Sequence, residues 1–276
     1  GTFSVVCGAE DAGGIVLRYA PKEGQVLKYK GSITNEAFFQ GNEFMNVHSD
    51  IVEISLIKMT EDGKYDVKLH YLESVDKRGM AGSALEDFEG SIKPAGRSID
   101  VTVDTLGNVL ATNGLLPGLK RGKPTTEYAE KWFFELPAGT LAQGSTWTRE
   151  FPEKNAGTAE GDSAAADEDA PDEEATGLIG TVTFELKKVE KKDGIEIAQI
   201  QFKGDLKMHT QDERGTLNGE VKLEGKVKVA IDGGYVVESE SSFEMKGKVV
   251  SKDEFSGKET EQDVQQLRYT EVKLEK

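Results

Sequence analysis

Along residues 63 to 71 apolar and polar side chains alternate: Tyr65, Val67, Leu69 and Tyr71 fall on one parity, and Lys64, Asp66, Lys68 and His70 on the other. A period of two sends the two sets to opposite faces, so the segment reads as a half-buried β-strand. The same alternation returns at Val182, Phe184 and Leu186. It is clearest at Val221, Leu223, Val227, Val229 and Ile231, with Lys222, Glu224, Lys226 and Lys228 between them. Such Lys/Glu ladders describe antiparallel sheet with one solvated face. At about 3.3 Å per residue a strand from Leu217 to Ile231 runs to roughly 50 Å, which implies a large curved sheet.

After the turn Asp232-Gly233-Gly234, the odd positions again carry the apolar residues Tyr235, Val237, Phe243, Met245 and Val249. Pairing Ile231 with Tyr235 keeps both apolar sets on one face, whereas a slip of one residue puts one set in water. That register sets Val229 opposite Val237, Leu223 opposite Phe243 and Val221 opposite Met245. It also brings Gly225 to Ser241 and Gly219 to Gly247, leaving small-residue gaps between apolar pairs. A strand glycine marks a bend, a bulge or a close approach by another group, so the gaps are read either as curvature or as a ligand groove.

Two hairpins recur in the same order. Val52 to Leu56, Asp62-Gly63 and the strand from Lys64 parallel Val182 to Leu186, Asp193-Gly194 and the strand from Ile195. Val101 to Asp104 with Gly107 and Val109 then parallel Val227 to Val229 with Asp232, Gly234 and Val236. The shared order suggests one four-strand unit used twice, with chance likeness among amphipathic strands as the alternative. Between the halves, Thr125 to Glu135 reads as a helix: Pro124 precedes it, Tyr128 and Trp132 stand at i,i+4, and Pro137 ends it. The expected fold is mainly β, a large curved antiparallel sheet forming a half-barrel or open barrel, with one short connecting helix. The expected organisation is 1–14 as an export-signal remnant or flexible N-terminus, 15–151 as a first β unit, 152–176 as an acidic insert, and 177–276 as a second β unit.

The net charge of −16 disfavours nucleic acid as a partner, because phosphate backbones repel such a chain. Half of that charge sits in residues 152–176, where nine acidic residues face Lys154 alone, with no aromatic or branched aliphatic side chain. Such a stretch cannot bury enough surface to order itself and reads as solvated loop. Its Asp167, Glu168, Asp169, Asp172, Glu173 and Glu174 lack the spacing of a calcium loop, so no metal site is assigned. No run of 18 apolar residues exists, and the lone Cys7 rules out an internal disulfide. The opening GTFSVVCGA resembles the tail of a secretory signal, with Cys7 and Ala9 at the small positions of a cleavage site, or a lipoprotein site acylated at Cys7. A short N-terminal strand is the third reading. Either export reading places the chain outside the cytoplasm, in the periplasm or at the cell surface, with Cys7 as a membrane anchor in one of them.

The segment from Ile15 to Tyr29, with Lys22-Glu23-Gly24 ahead of Leu27-Lys28-Tyr29, and the later Leu136-Pro137 with Leu141, Gly144, Ser145, Thr146 and Trp147, resemble a family of bacterial exported β-rich proteins of unknown function. The likeness runs in order over most of residues 15 to 250, and the acidic insert after Trp147 departs from it. It implies export and a non-enzymatic protein, and it brings no catalytic residues.

Catalytic patterns are lacking: there is no nucleophile elbow, no His-Glu-x-x-His, no phosphate loop and no dinucleotide fingerprint. His48, His70 and His209 each have a surface reading, and Glu53 and Glu185 fit ladder pairing with Lys. No cofactor is expected. The favoured function is a non-enzymatic binding protein that holds a lipid or other hydrophobic molecule on the concave apolar face, with Val221, Leu223, Val229, Val237, Phe243 and Met245 as its lining. The half-barrel lipoprotein carriers resemble this shape by architecture alone. The alternative is a structural or assembly protein of the envelope, binding protein partners along its sheet edges.

Overall fold

A computed structural model of the protein describes residues 14–39, 41–80, 83–88, 94–114, 128–151, 177–212, 215–252 and 259–275. The signal-like opening with Cys7 and the acidic insert lie outside the described residues, as do the first three residues of the expected helix. The chain forms strands β1 (Ile15–Val16), β2 (Val26–Phe39), β3 (Asn42–Met59), β4 (Tyr65–Met80), β5 (Glu86–Asp87), β6 (Ser98–Val103) and β7 (Val109–Asn113). It continues through β8 (Thr140–Leu141), β9 (Thr146–Phe151), β10 (Gly177–Lys192), β11 (Ile195–Asp212), β12 (Gly215–Ala230), β13 (Val236–Lys252) and β14 (Glu259–Leu274).

Twelve strands make one antiparallel sheet in the order β7-β6-β4-β3-β2-β14-β13-β12-β11-β10-β9, with β5 against β4. The sheet is curved and stays open, ending at β7 and β9. Strand β14 joins β2 to β13, so residues 15–151 and 177–276 share one sheet.

The two hairpin series are built alike. Strands β3, β4, β6 and β7 are successive neighbours, as are β10, β11, β12 and β13. A bulge follows Leu56 in β3 and Leu186 in β10, and another sits at Leu110 in β7 and at Val237 in β13. The short strands ahead of each series, β1 and β8, pair with each other.

The β12–β13 register matches the expected one from Lys228 opposite Glu238 outward, including Leu223 opposite Phe243, Val221 opposite Met245, Gly225 opposite Ser241 and Gly219 opposite Gly247. At the turn it differs: Val229 pairs with Val236, and Val237 is the extra residue of a bulge. The cause is the loop. Tyr235 accepts from the Ala230 N–H (3.0 Å), closing four residues rather than three, and the bulge absorbs the difference.

One parity of every long strand faces a common inner surface. Its proximal half carries the main core, in which Tyr29, Val52, Val67, Leu69, Tyr71, Ile200, Val227 and Val229 are buried. Two segments cover it as a plug, residues 15–20 and 128–136, from which Leu17, Ala129, Trp132 and Leu136 join the core. Gly31 makes room for this layer, since a Cβ there would stand 2.8 Å from the Trp132 ring. A void of about 10 Å³ beside Tyr29 and Trp132 is the size of one water at most.

The expected helix over Thr125–Glu135 is corrected at its C-terminal end: among the described residues helix covers only 128–130, and i→i−3 bonds from Trp132 to Ala129 (3.0 Å) and Phe133 to Glu130 (3.1 Å) turn the chain after it. The run Trp132-Phe133-Phe134 explains the change. One helix face cannot bury three consecutive aromatics. An irregular backbone lets Trp132 sink between Tyr29 and Tyr71, Phe133 meet Tyr19 edge-on at 5.5 Å, and Phe134 reach Phe184 at 6.0 Å. The Leu136 N–H then bonds to Leu106 O (2.7 Å), tying the plug to the β6–β7 turn.

Candidate ligand-binding face

Beyond the plug, the inner surface continues into a distal half with a second apolar cluster. Val182, Leu206, Val221 and Met245 are buried there, each under 4% exposed. Around them Leu178, Phe184, Phe202, Met208, Leu217, Leu223, Phe243 and Val264 stay partly exposed. Every described member of this cluster comes from strands β9 to β14. Among the described residues no second layer packs on it, in contrast to the proximal half.

Of the six residues expected to line a ligand face, Val221, Leu223, Phe243 and Met245 come together in this cluster. Val229 is fully buried in the main core under the plug, and Val237, displaced by its bulge, joins neither cluster. The sequence reading passed over Val182, Phe202 and Leu206, which lie on the same face one and two strands away. Their period-2 alternation carried the signal.

The glycines of this face are occupied by the chain itself. A Cβ on Gly225 would collide with the Phe202 ring, and one on Gly204 would stand 2.8 Å from a Val182 methyl. Gly219 and Gly247 face one another across β12 and β13 with backbone in the space of a side chain. These are close approaches between neighbours on a curved sheet, not open slots.

The inner surface changes character from β14 to β4. A bulge at Leu72 reverses the parity of β4, so that Ser74, Asp76 and Arg78 replace the apolar inward set of Val67, Leu69 and Tyr71. Asp76 thereby reaches His48 Nδ1 (2.7 Å), while His48 Nε2 meets Asp50 Oδ2 (2.8 Å). The Lys131 ammonium of the plug also bonds to Asp50 Oδ2. His48, given a surface reading from sequence, is therefore buried between two carboxylates. Its position on the inward parity of Val52 and Ile54 was the available sign.

Burial pushes the Asp50 pKa up, but the hydrogen bond to His48 and the Lys131 charge outweigh it and hold the carboxyl below its ordinary value. Burial lowers the pKa of His48, and its bond to Asp50 with the neighbouring negative charges lifts it above the ordinary imidazole value. For Lys131 burial wins over Asp50 and Asp76, and its pKa is lowered. Tyr128, edge-on to His48, is pushed up to about 12 by burial and the two aspartates. Asp50 Oδ1 is buried without a hydrogen-bond partner. The cluster fastens the plug to β3 and β4. His70 bonds to Ser98 Oγ (2.9 Å) and His209 to Asn218 Oδ1 (2.6 Å), both away from this group. No group of three metal-ligating side chains occurs among the described residues.

The opposite, outer face is charged. Lys226 pairs with Glu240 (2.9 Å), Lys228 with Glu238 (2.5 Å) and Lys246 with Glu244 (2.5 Å). Two open grooves cross it, one of about 750 Å³ lined largely by Lys, Glu, Ser and Thr, the other of about 900 Å³ where Lys207, Glu220, Lys246, Lys248 and Glu261 mix with Phe38, Val250, Val264 and glycines.

No family model matches the chain, and no curated protein matches it. Among solved structures it is similar to lipovitellin, in a structure entitled "Lipid-protein interactions in lipovitellin", with a TM-score of 0.51 and 11% sequence identity. The match covers 92% of this chain and 25% of that one, so the chain spans a quarter of the lipovitellin chain. At this identity the likeness is one of fold alone.

Proposed function

We propose that the protein is a non-enzymatic, exported lipid-binding protein whose ligand lies against the distal half of the inner face. The observation that carries this reading is the second apolar cluster, a set of large side chains drawn wholly from the sheet and left partly exposed. A contiguous apolar patch on a soluble protein marks a binding surface. The fold likeness to lipovitellin, a protein whose structure is described in terms of lipid contacts, supports it. So does the resemblance of Lys22-Glu23-Gly24 and Gly144 to Trp147 to an exported β-rich family, which also bears on location outside the cytoplasm. The matched turns and bulges of the two hairpin series support an origin by duplication.

The assembly reading would use the sheet edges, where β9 pairs with only Gly180–Glu185 of β10 and β6 with only Tyr65–His70 of β4; it lacks the fold likeness that favours the lipid reading.

The test is solvent extraction and native mass spectrometry of freshly purified protein. A stoichiometric lipid, and a rise in melting temperature when lipid is returned to stripped protein, are expected. A protein that carries no lipid and does not respond to any, yet forms dimers or polymers at micromolar concentration, would establish the assembly reading instead.

A further inference from the structure

Between β10 and β2 the distal inner face holds one charge, and on the β9 edge Arg149, opposite Val182, is paired with Glu135 (2.9 Å). At the inward positions of β10 (178–184), β11 (202–210), β12 (217–225), β13 (241–249), β14 (262–270) and β2 (33–37), every described side chain is apolar or neutral except Arg268. Arg268 faces Phe243 in the register, with its guanidinium 5.8 Å from the ring centroid, and its Nε donates to Asn35 Oδ1 (2.8 Å). No carboxylate pairs with it among the described residues, and its side chain is exposed. The lysines of the outer face are different, since Lys226, Lys228 and Lys246 each have a glutamate. With Nε committed to Asn35, the two terminal nitrogens remain as a fork suited to two oxygens of one anion.

Arg268 also marks a boundary. Toward β12 and β11 the row reads Phe243, Leu223 and Gly204, then Val182 and the Glu135-paired Arg149, and toward β2 and β3 it reads Asn35 and Asn46 before reaching Arg78 of β4. A ligand seated at Arg268 meets an apolar field on one side and the neutral Asn35 and Asn46 on the other, which is the profile of an anionic amphiphile. The apolar field spans the four strands β10 to β13, about 14 Å at the usual strand spacing, and runs about 20 Å from Phe243 to Val249. Two acyl chains side by side fill that width better than one.

We infer that the ligand of this face is a two-chain phospholipid, with its phosphate on the Arg268 fork and its acyl chains over Phe243 and Leu223. This rests on the lipid-binding reading above and adds the head-group chemistry to it.

The test compares the full chain with Arg268→Gln and Arg268→Lys, measuring binding of dioleoyl phosphatidylglycerol, dioleoylglycerol and oleate to delipidated protein. Loss of one charge-assisted anion contact weakens phosphatidylglycerol binding about tenfold in R268Q, with R268K between the two. Dioleoylglycerol, which has the same chains and no phosphate, should bind both proteins alike. Equal loss for the two lipids would overturn the assignment, because Arg268 would then shape the face rather than hold a head group. A loss seen for oleate alone would overturn it in favour of a fatty acid. If wild-type protein binds none of the three, the lipid-binding reading itself fails; if it binds phosphatidylglycerol and R268Q does so equally, only the Arg268 assignment fails.

Discussion

The distal cluster of the inner face is built by β9 to β14 and the proximal core by strands of that set together with β2, β3, β4 and β6, yet among the described residues only the proximal half is covered. Below, Trp132, Leu136, Leu17 and Tyr19 complete a dry core against Tyr29, Val52 and Leu69. Above, Val221 and Met245 are buried by their own sheet neighbours while Leu223, Phe243 and Phe202 stay partly in contact with water. Polar spacing does not separate the two halves, since Lys and Glu alternate outward along both. What separates them is the plug, which occupies one half and leaves the other uncovered among the described residues.

Removing the plug's main anchor should cost most. Trp132→Ala deletes a fully buried indole between Tyr29 and Tyr71, and a loss of about 3–5 kcal/mol in denaturant unfolding is expected. Phe243→Ala in the distal half should cost about 1 kcal/mol in stripped protein, because that ring is half-exposed before the mutation. Similar losses for both would erase the distinction between a core and a binding face.

Lys131→Met ranks next. It leaves Asp50 buried with His48 as its remaining partner, and breaking such a pair costs about 3 kcal/mol. The double change Lys131→Met with Asp50→Asn should recover much of that loss, which equilibrium unfolding of the set would measure. If Lys131→Met is neutral, the plug is held by apolar packing alone.

The pH dependence of stability follows from the same cluster. His48 has a raised pKa in the folded chain, so its contribution is complete below the unfolded imidazole value and is lost as pH rises through the folded one. Asp50 has a depressed pKa, so its contribution is present above the unfolded carboxylate value and is lost as pH falls through the folded one. Unfolding curves from pH 4 to 9 should therefore show a fall as pH rises above the ordinary imidazole value that His48→Gln flattens. An unchanged profile in the variant would remove His48 from the latch.

The smallest effect is expected on the outer face. Lys228→Ala breaks the surface pair with Glu238 and should change stability by about 0.5 kcal/mol or less, diminishing with salt. A larger change would mean that the ladder, rather than the plug, governs the stability of the proximal half.

Most of the sheet was legible because strand parity is a strict signal. Tyr65 to Tyr71 and Val221 to Ile231 announce both their faces and their partners, and the register from Lys228 outward follows from keeping Leu223 with Phe243. Bulges were not legible. At Val237 an extra loop residue moved one expected lining residue off the face, and at Leu72 a similar insertion carried Asp76 inward to His48. The helix failed because Tyr128 and Trp132 have helical spacing while the adjoining Phe133 and Phe134 demand burial in other directions. Arg268 was invisible for a different reason. Its meaning depends on the absence of any other charge at the inward positions from β10 to β2, strands that lie at opposite ends of the sequence.

The difference between the halves is tested most directly by placing one reporter in each. The chain as it stands, with Trp147→Phe, keeps Trp132 as the proximal reporter, and Phe243→Trp with both native tryptophans changed to Phe supplies the distal one. Titration with phosphatidylglycerol bearing brominated acyl chains should quench the residue 243 reporter strongly and leave Trp132 unaffected. Quenching of Trp132, or of neither reporter, would mean that lipid does not lie on the uncovered half.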